Sequence, residues 1–374
     1  MRIREKVLKL KYPNFYWAVT WAITNVCNLR CSYCIVPPAK EHPDFEIAIA
    51  KLLKMKPKHL CINGGEPTLV PDMVGILKRL RAGIDQKMQI EFNTNGTLPD
   101  RVFEIVPHIN NLCFSIDGVG EVNEWQRGYD GDKLLALLEE LVQYSPADGQ
   151  RFRILVVPVA TQLSYERLPE LIERVQDIWR KGRVDVSMEI KPVHPYDHPM
   201  TLANKPDFWK DFIARSNEWE RRYELPVVVR GIRGASGCDP LTGAKENSRC
   251  VRQFFSCWVE WHGQVAECKP VRYYEYFHER YMKGGLKDKM TAAWQAVDSL
   301  LVRRCNPTCY TPCDHAEFLD DILLSGRASE IDSKAKAAGL SISREEISRA
   351  SLFVRKHFNR DLVLDVEPVG RCLG

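Results

Sequence analysis

The chain has 374 residues, 45% of them hydrophobic and 27% charged, and a formal net charge of +4. That length exceeds one small core and points to two domains. The charges are nearly balanced and spread along the chain, which argues against the basic stripe of a nucleic-acid binder and the cationic face of a membrane-surface protein.

The 13 cysteines are an odd number in a chain far longer than a disulfide-stapled secreted domain. Residues 1–11 are basic and residues 15–24 apolar. That run holds Tyr16, Trp17, Thr20 and Trp21, has no small-residue cleavage pattern and leads into cysteines. It reads as a buried strand rather than a signal peptide. No stretch reaches the roughly 18 apolar residues of a membrane span, so a cytoplasmic protein with thiols as metal ligands is expected.

Strands are predicted at 16–23, 59–63, 88–93, 112–116, 152–157 and 184–190, and helices at 46–54, 73–81, 101–106, 133–144 and 165–179. Their alternation implies a parallel sheet with right-handed crossovers. Six strands fall short of the eight of a closed barrel, so the fold class is α/β, a partial (β/α)6 TIM-like barrel over residues 1–195. Residues 192–206, rich in Pro and His, read as a linker. It leads to a helix at 208–223, so that 196–224 joins the barrel to a smaller domain. Residues 225–323 bring glycines, short strands and seven cysteines, and 324–374 read as a helical extension with a capping box at Ser343 and Glu346.

Cys27, Cys31 and Cys34 follow the first strand with gaps of three and two residues. One loop can wrap a cube of iron and sulfide this way, leaving one iron without a protein ligand. A zinc site completed by a distant His, or a disulfide with a spare thiol, are the alternatives on spacing alone. The next three strands end in Gly64-Gly65-Glu66-Pro67, Asn93-Thr94-Asn95-Gly96 and Ser115-Ile116-Asp117-Gly118. All lie at the carboxyl ends of parallel strands, where barrels place their sites. Each alone would be an ordinary turn rich in Gly, Asn and Asp.

With its three cysteines and an aromatic residue before the last, the chain resembles the radical SAM superfamily over about residues 15–195. The resemblance implies a [4Fe–4S] cluster on Cys27, Cys31 and Cys34, with S-adenosylmethionine on the open iron. It implies that Gly64, Gly65, Glu66 and Pro67 line the methionine amino group, where glycines admit a close approach and Glu66 offers an acceptor. Tyr33 would lie by the adenine and Asn93, Asn95 and Ser115 by the ribose. Arg127, read as a loop residue, would meet the methionine carboxylate. Val157 at the fifth strand's end touches adenine or belongs to the core. Reductive cleavage of the sulfonium would give methionine and a 5′-deoxyadenosyl radical that takes a substrate hydrogen. The implied electron donor is a flavodoxin or ferredoxin.

The later cysteines carry a second resemblance, to the SPASM and Twitch auxiliary-cluster domains of that superfamily. Cys250, Gly263 and Cys268 match the opening of their motif, a hairpin with Gly at the turn. Cys305, Cys309 and Cys313 depart from it, because both gaps are three residues. At least one auxiliary [4Fe–4S] cluster is implied, on Cys250, Cys268 and two of the last three, and the departure favours one cluster over two. Structural zinc is the alternative. Cys257 reads as a ligand or a buried thiol, Cys61 and Cys113 as packed thiols, Cys372 as a free thiol, and Cys238 stays open.

An auxiliary cluster implies an oxidative outcome. The first expectation is cross-linking or dehydrogenation of a peptide or protein, although only some fifteen residues precede the first strand, too few for a leader-binding domain. Sulfatase-maturing relatives have an acidic residue where Lys269 stands, so that activity is not expected. The second is dehydrogenation of a small alcohol or amino-sugar. The third, a non-catalytic iron–sulfur redox protein, has no use for a Gly-Gly-Glu-Pro cradle. Asp117, His194, His198 and Lys269 are acid–base candidates by location alone.

Overall fold

The computed structural model describes residues 18–146, 151–193, 199–202, 208–229, 256–261, 263 and 265–266. Cys238, Cys250, Cys268, Cys305, Cys309, Cys313 and Cys372 lie outside the described residues, as do His194, His198, Lys269 and the expected helical extension.

Six strands carry the parallel sheet: β1 (Ala18–Thr24), β2 (His59–Gly64), β3 (Gln89–Thr94), β4 (Asn111–Phe114), β5 (Arg153–Val156) and, after the two-residue β6 (Val159–Ala160), β7 (Asp185–Pro192). They pair in the order β1-β2-β3-β4-β5-β7, all parallel. The helices between them are α1 (Glu46–Met55), α2 (Met73–Gly83), α3 (Pro99–Ile105), α4 (Glu121–Arg127), α5 (Gly131–Leu141) and α6 (Leu168–Arg180). This is the expected partial barrel.

Side chains alternate across each strand. Val19, Trp21 and Ile23 of β1, Leu60 and Ile62 of β2, and Ile90 and Phe92 of β3 join one core with the apolar stripes of the helices, such as Ala48, Ile49 and Leu52 of α1. The alternate set faces inward and is largely polar. Thr20, Cys61, Glu91, Asn111 and Arg153 lie in register across five strands, and Asn93, Cys113, Leu155 and Ser187 across four.

The structure adds elements at both sheet edges. α7 (Phe208–Arg222) brings β8 (Val227–Val229) alongside β7, with Phe212 buried between Tyr165 and Trp219. β9 (Ser256–Val259) pairs parallel to β1, and β10 (Val265–Ala266) folds back antiparallel on β9. Val227–Val229, Ser256–Val259 and Val265–Ala266, read from sequence with a separate domain, thus extend the barrel sheet. Gly263 turns this hairpin at φ 77°, and Lys51 of α1 donates to its carbonyl at 2.6 Å. Cys257 is buried 3.9 Å from the Met55 sulfur, which makes it a packed thiol.

Candidate functional site

β1 runs straight into the cysteine loop. Val26 bridges Ala39 in parallel, and the Ala39 amide donates to the Asn25 carbonyl at 3.1 Å, closing the loop at its base. Within it the Cys34 amide donates to the Cys31 carbonyl at 3.1 Å. Cys27, Cys31 and Cys34 are each half-buried. Burial pushes the Cys27 thiol up and Cys31 to about 12, with the Arg127 guanidinium opposing the rise at Cys31. Three soft thiol donors on one short loop are the donor chemistry a cubic iron–sulfur cluster takes. Among the described residues no three His, Cys, Asp or Glu side chains converge on a single metal-ion position, as mononuclear zinc requires.

The glycines after β2 answer to the chain itself. The Gly65 amide donates to the Thr24 carbonyl at 2.6 Å and the Glu66 amide to the Val26 carbonyl at 2.8 Å. A Cβ on Gly64 would lie 2.4 Å from the Thr24 oxygen, and one on Gly65 2.3 Å from the Val26 oxygen. Side chains are therefore excluded where this strand end lies against the backbone leading to Cys27.

Glu66 is 1% exposed and its carboxylate accepts four hydrogen bonds. Oε1 takes the Thr68 amide at 3.0 Å, the Thr68 hydroxyl at 2.6 Å and the Thr94 hydroxyl at 2.8 Å, while Oε2 takes the Asn95 amide at 2.7 Å. Burial raises this carboxyl above its ordinary range and the donors oppose the rise. The side chain predicted to meet a ligand amine thus ties the end of β2, with the Pro67–Leu69 turn, to the end of β3.

Asn95 continues the chain of contacts. Its Nδ2 donates to Asn28 Oδ1 at 2.9 Å, and Asn28 Nδ2 donates to the Thr97 hydroxyl at 2.7 Å, which fastens the cysteine loop to the β3 end. Asn93 instead points along the inner face, donating to the Ile62 carbonyl at 3.0 Å and the Cys61 sulfur at 3.3 Å. Ser115 follows β4, its amide 3.0 Å from the Thr94 carbonyl. Val157 lies just past the end of β5 and is buried.

Arg127 is not a loop residue. It ends α4, is buried, and pairs with Asp117, Nε to Oδ2 at 2.8 Å and Nη2 to Oδ1 at 3.0 Å. Burial works against its charge, and Asp117, Tyr33 and Cys31 together outweigh it, holding the guanidinium above its ordinary range. Tyr33 donates its hydroxyl to Asp117 at 2.7 Å, and its ring lies 5.6 Å from the Arg127 guanidinium. Sequence reasoning named Asp117 only by location and missed Asn28, Thr97, Asn123 and Gln126. Asn28, between two of the cysteines, was the one carrying a positional signal.

Hydrogen bonds thus tie Gly65, Glu66 and Asn95 to the cysteine loop and its flanks, and Tyr33 and Arg127 to Asp117, while Asn93 lies on the inner face of the sheet. Residues 21–175 match the radical SAM superfamily. The chain carries a radical SAM domain. Pre-heme d1 synthase of Dinoroseobacter shibae is 30% identical over 171 residues, 42% of this chain and 40% of that protein. Mycofactocin maturase MftC of Mycolicibacterium smegmatis is 23% identical over 236 residues, 59% of this chain and 53% of that protein. These matches span about half or less of the relatives' own length. The crystal structure of Streptococcus suis SuiB bound to precursor peptide SuiA superposes with a TM-score of 0.52 at 14% identity, covering 76% of this chain and 69% of that one. At that identity the likeness concerns the fold. Among the described residues no helix is long and apolar enough to cross a membrane.

Proposed function

We propose that this chain is a radical SAM enzyme that oxidatively modifies a peptide or protein, by cross-linking or dehydrogenation. The observation that carries the reading is the three-cysteine loop, held at the carboxyl end of β1 by the ends of β2, β3 and β4 within a radical SAM domain. Cys27, Cys31 and Cys34 would hold the [4Fe–4S] cluster. Tyr33, Gly64 to Pro67, Asn93, Asn95 and Ser115 would surround S-adenosylmethionine. Arg127 would reach its carboxylate through Nη1, the nitrogen that Asp117 does not engage. When bound and reduced by a flavodoxin or ferredoxin, the cluster would supply the electron for reductive cleavage of S-adenosylmethionine.

Similarity to a mycofactocin maturase over 59% of the chain supports a peptide substrate. An auxiliary cluster on Cys250, Cys268 and two of Cys305, Cys309 and Cys313 would take up the electron that oxidation releases. A second reading, dehydrogenation of a small alcohol or amino-sugar, is favoured by the polar inner face, where Glu91, Asn93, Ser187 and the buried Glu189 beside Lys191 offer partners to a polar ligand.

Anaerobic reconstitution with dithionite and S-adenosylmethionine is expected to release 5′-deoxyadenosine, detected by mass spectrometry. No product above a Cys27→Ala control refutes both readings. Candidate peptides and polyols, assayed separately for a mass loss of about two hydrogens per dehydrogenation, decide between them.

A further inference from the structure

We infer that α4 is a clamp on the cysteine loop, with Asp117 as the positioning residue through which it grips. Nothing in the proposed activity assigns this role.

The loop is held at the two residues between Cys31 and Cys34. The Ser32 amide donates to the Gln126 carbonyl at 2.8 Å, and the Tyr33 hydroxyl donates to Asp117 at 2.7 Å. Both anchors belong to one buried assembly. Asp117 also accepts from Arg127 Nη2 at 3.0 Å and from the Val159 amide at 2.8 Å, so β4's exit, α4 and the strand after β5 meet on one carboxylate. Asn123, fully buried, accepts from the Asp117 amide at 2.8 Å and donates to the Tyr129 carbonyl at 2.7 Å. The Thr161 hydroxyl donates to the side-chain oxygen of Gln126.

A helix of seven residues does not hold itself together in water. It is placed by Gly120 and Gly128, at φ 46° and 75°, and by these contacts. The Asp117 and Arg127 side chains are 0% and 8% exposed, so neutralising one strands the other's charge away from water. Asp117 thereby fixes the distance between Cys31 and Cys34 through its grip on Tyr33.

The test uses the full chain with Tyr33→Phe, which removes one bond, and Asp117→Asn, which also breaks the ion pair. Glu124→Gln, on the exposed face of α4, is the control. Arg30 is exposed within the loop, so trypsin cleavage after it reports release of the loop before any cluster is assembled. Cleavage there is expected to quicken about tenfold in Tyr33→Phe, the ratio set by one hydrogen bond to a charged group. Asp117→Asn should quicken it further, with wild-type rates in the control and unchanged circular dichroism in Tyr33→Phe. A second readout rests on the proposed cluster: after reconstitution, the EPR line of the reduced Tyr33→Phe protein should differ from wild type. Wild-type cleavage at Arg30 in Tyr33→Phe overturns the clamp, whatever Asp117→Asn does. A wild type that assembles no cluster overturns the proposed function and leaves the cleavage result to decide the clamp.

Discussion

Glu66 shows how one side chain can be legible in sequence as important while its task is not. A carboxylate in a Gly-Gly-Glu-Pro turn reads as an acceptor for a ligand amine, yet four protein donors surround it. Replacing it with Gln turns one acceptor into a donor facing donors. Glu66→Gln is expected to cost about 2–3 kcal/mol, read from urea denaturation. A loss under about 0.5 kcal/mol, the scatter of ordinary surface changes, would show that the knot does not hold the strand ends. Gly65 was legible too, but as a position that admits a ligand. The structure shows a position that admits the chain, with the Val26 carbonyl where a Cβ would stand.

At the scale of elements, the long apolar runs and helical stripes were readable because each buries one face against a continuous core. α4 was not, because its buried residues include Asn123, Gln126 and Arg127, which carry no apolar period. β7 runs two residues past its predicted end, since Lys191 and Pro192 pair with β6. β2 begins at His59, buried against Glu91 and Arg153. Burial holds its imidazole below the ordinary range, with Glu91 opposing the shift. The folded state thus resists protonation that the unfolded chain accepts below about pH 6.5. Stability from this residue is complete above that pH and is lost as pH falls through the lowered value. Wild type should therefore lose more urea resistance between pH 7.5 and 5.5 than His59→Asn. Equal losses in the two proteins would remove His59 as the cause.

Over the whole molecule, the strand order brings four loop segments from residues 24 to 128 to one end of the sheet, which is what turns separate motifs into a site. The proposed auxiliary cluster makes its own prediction. Reconstituted wild type should hold about eight irons per chain, and the Cys250→Ala, Cys268→Ala double variant about four, since each cube carries four. An iron content of about four in wild type would remove the auxiliary cluster, and about twelve would require a second one.

Hydrophobic period and ligand spacing are local along the chain, and they were enough to specify the parallel partial barrel and the three-cysteine loop. The tasks of Glu66, Arg127 and the glycines depend instead on contacts across the fold. Their partners, Thr94 and Asn95, Asp117, and the Thr24 and Val26 carbonyls, lie on other segments. A buried charge is understood from the group that compensates it, and no spacing in the chain reveals which segment will supply that group.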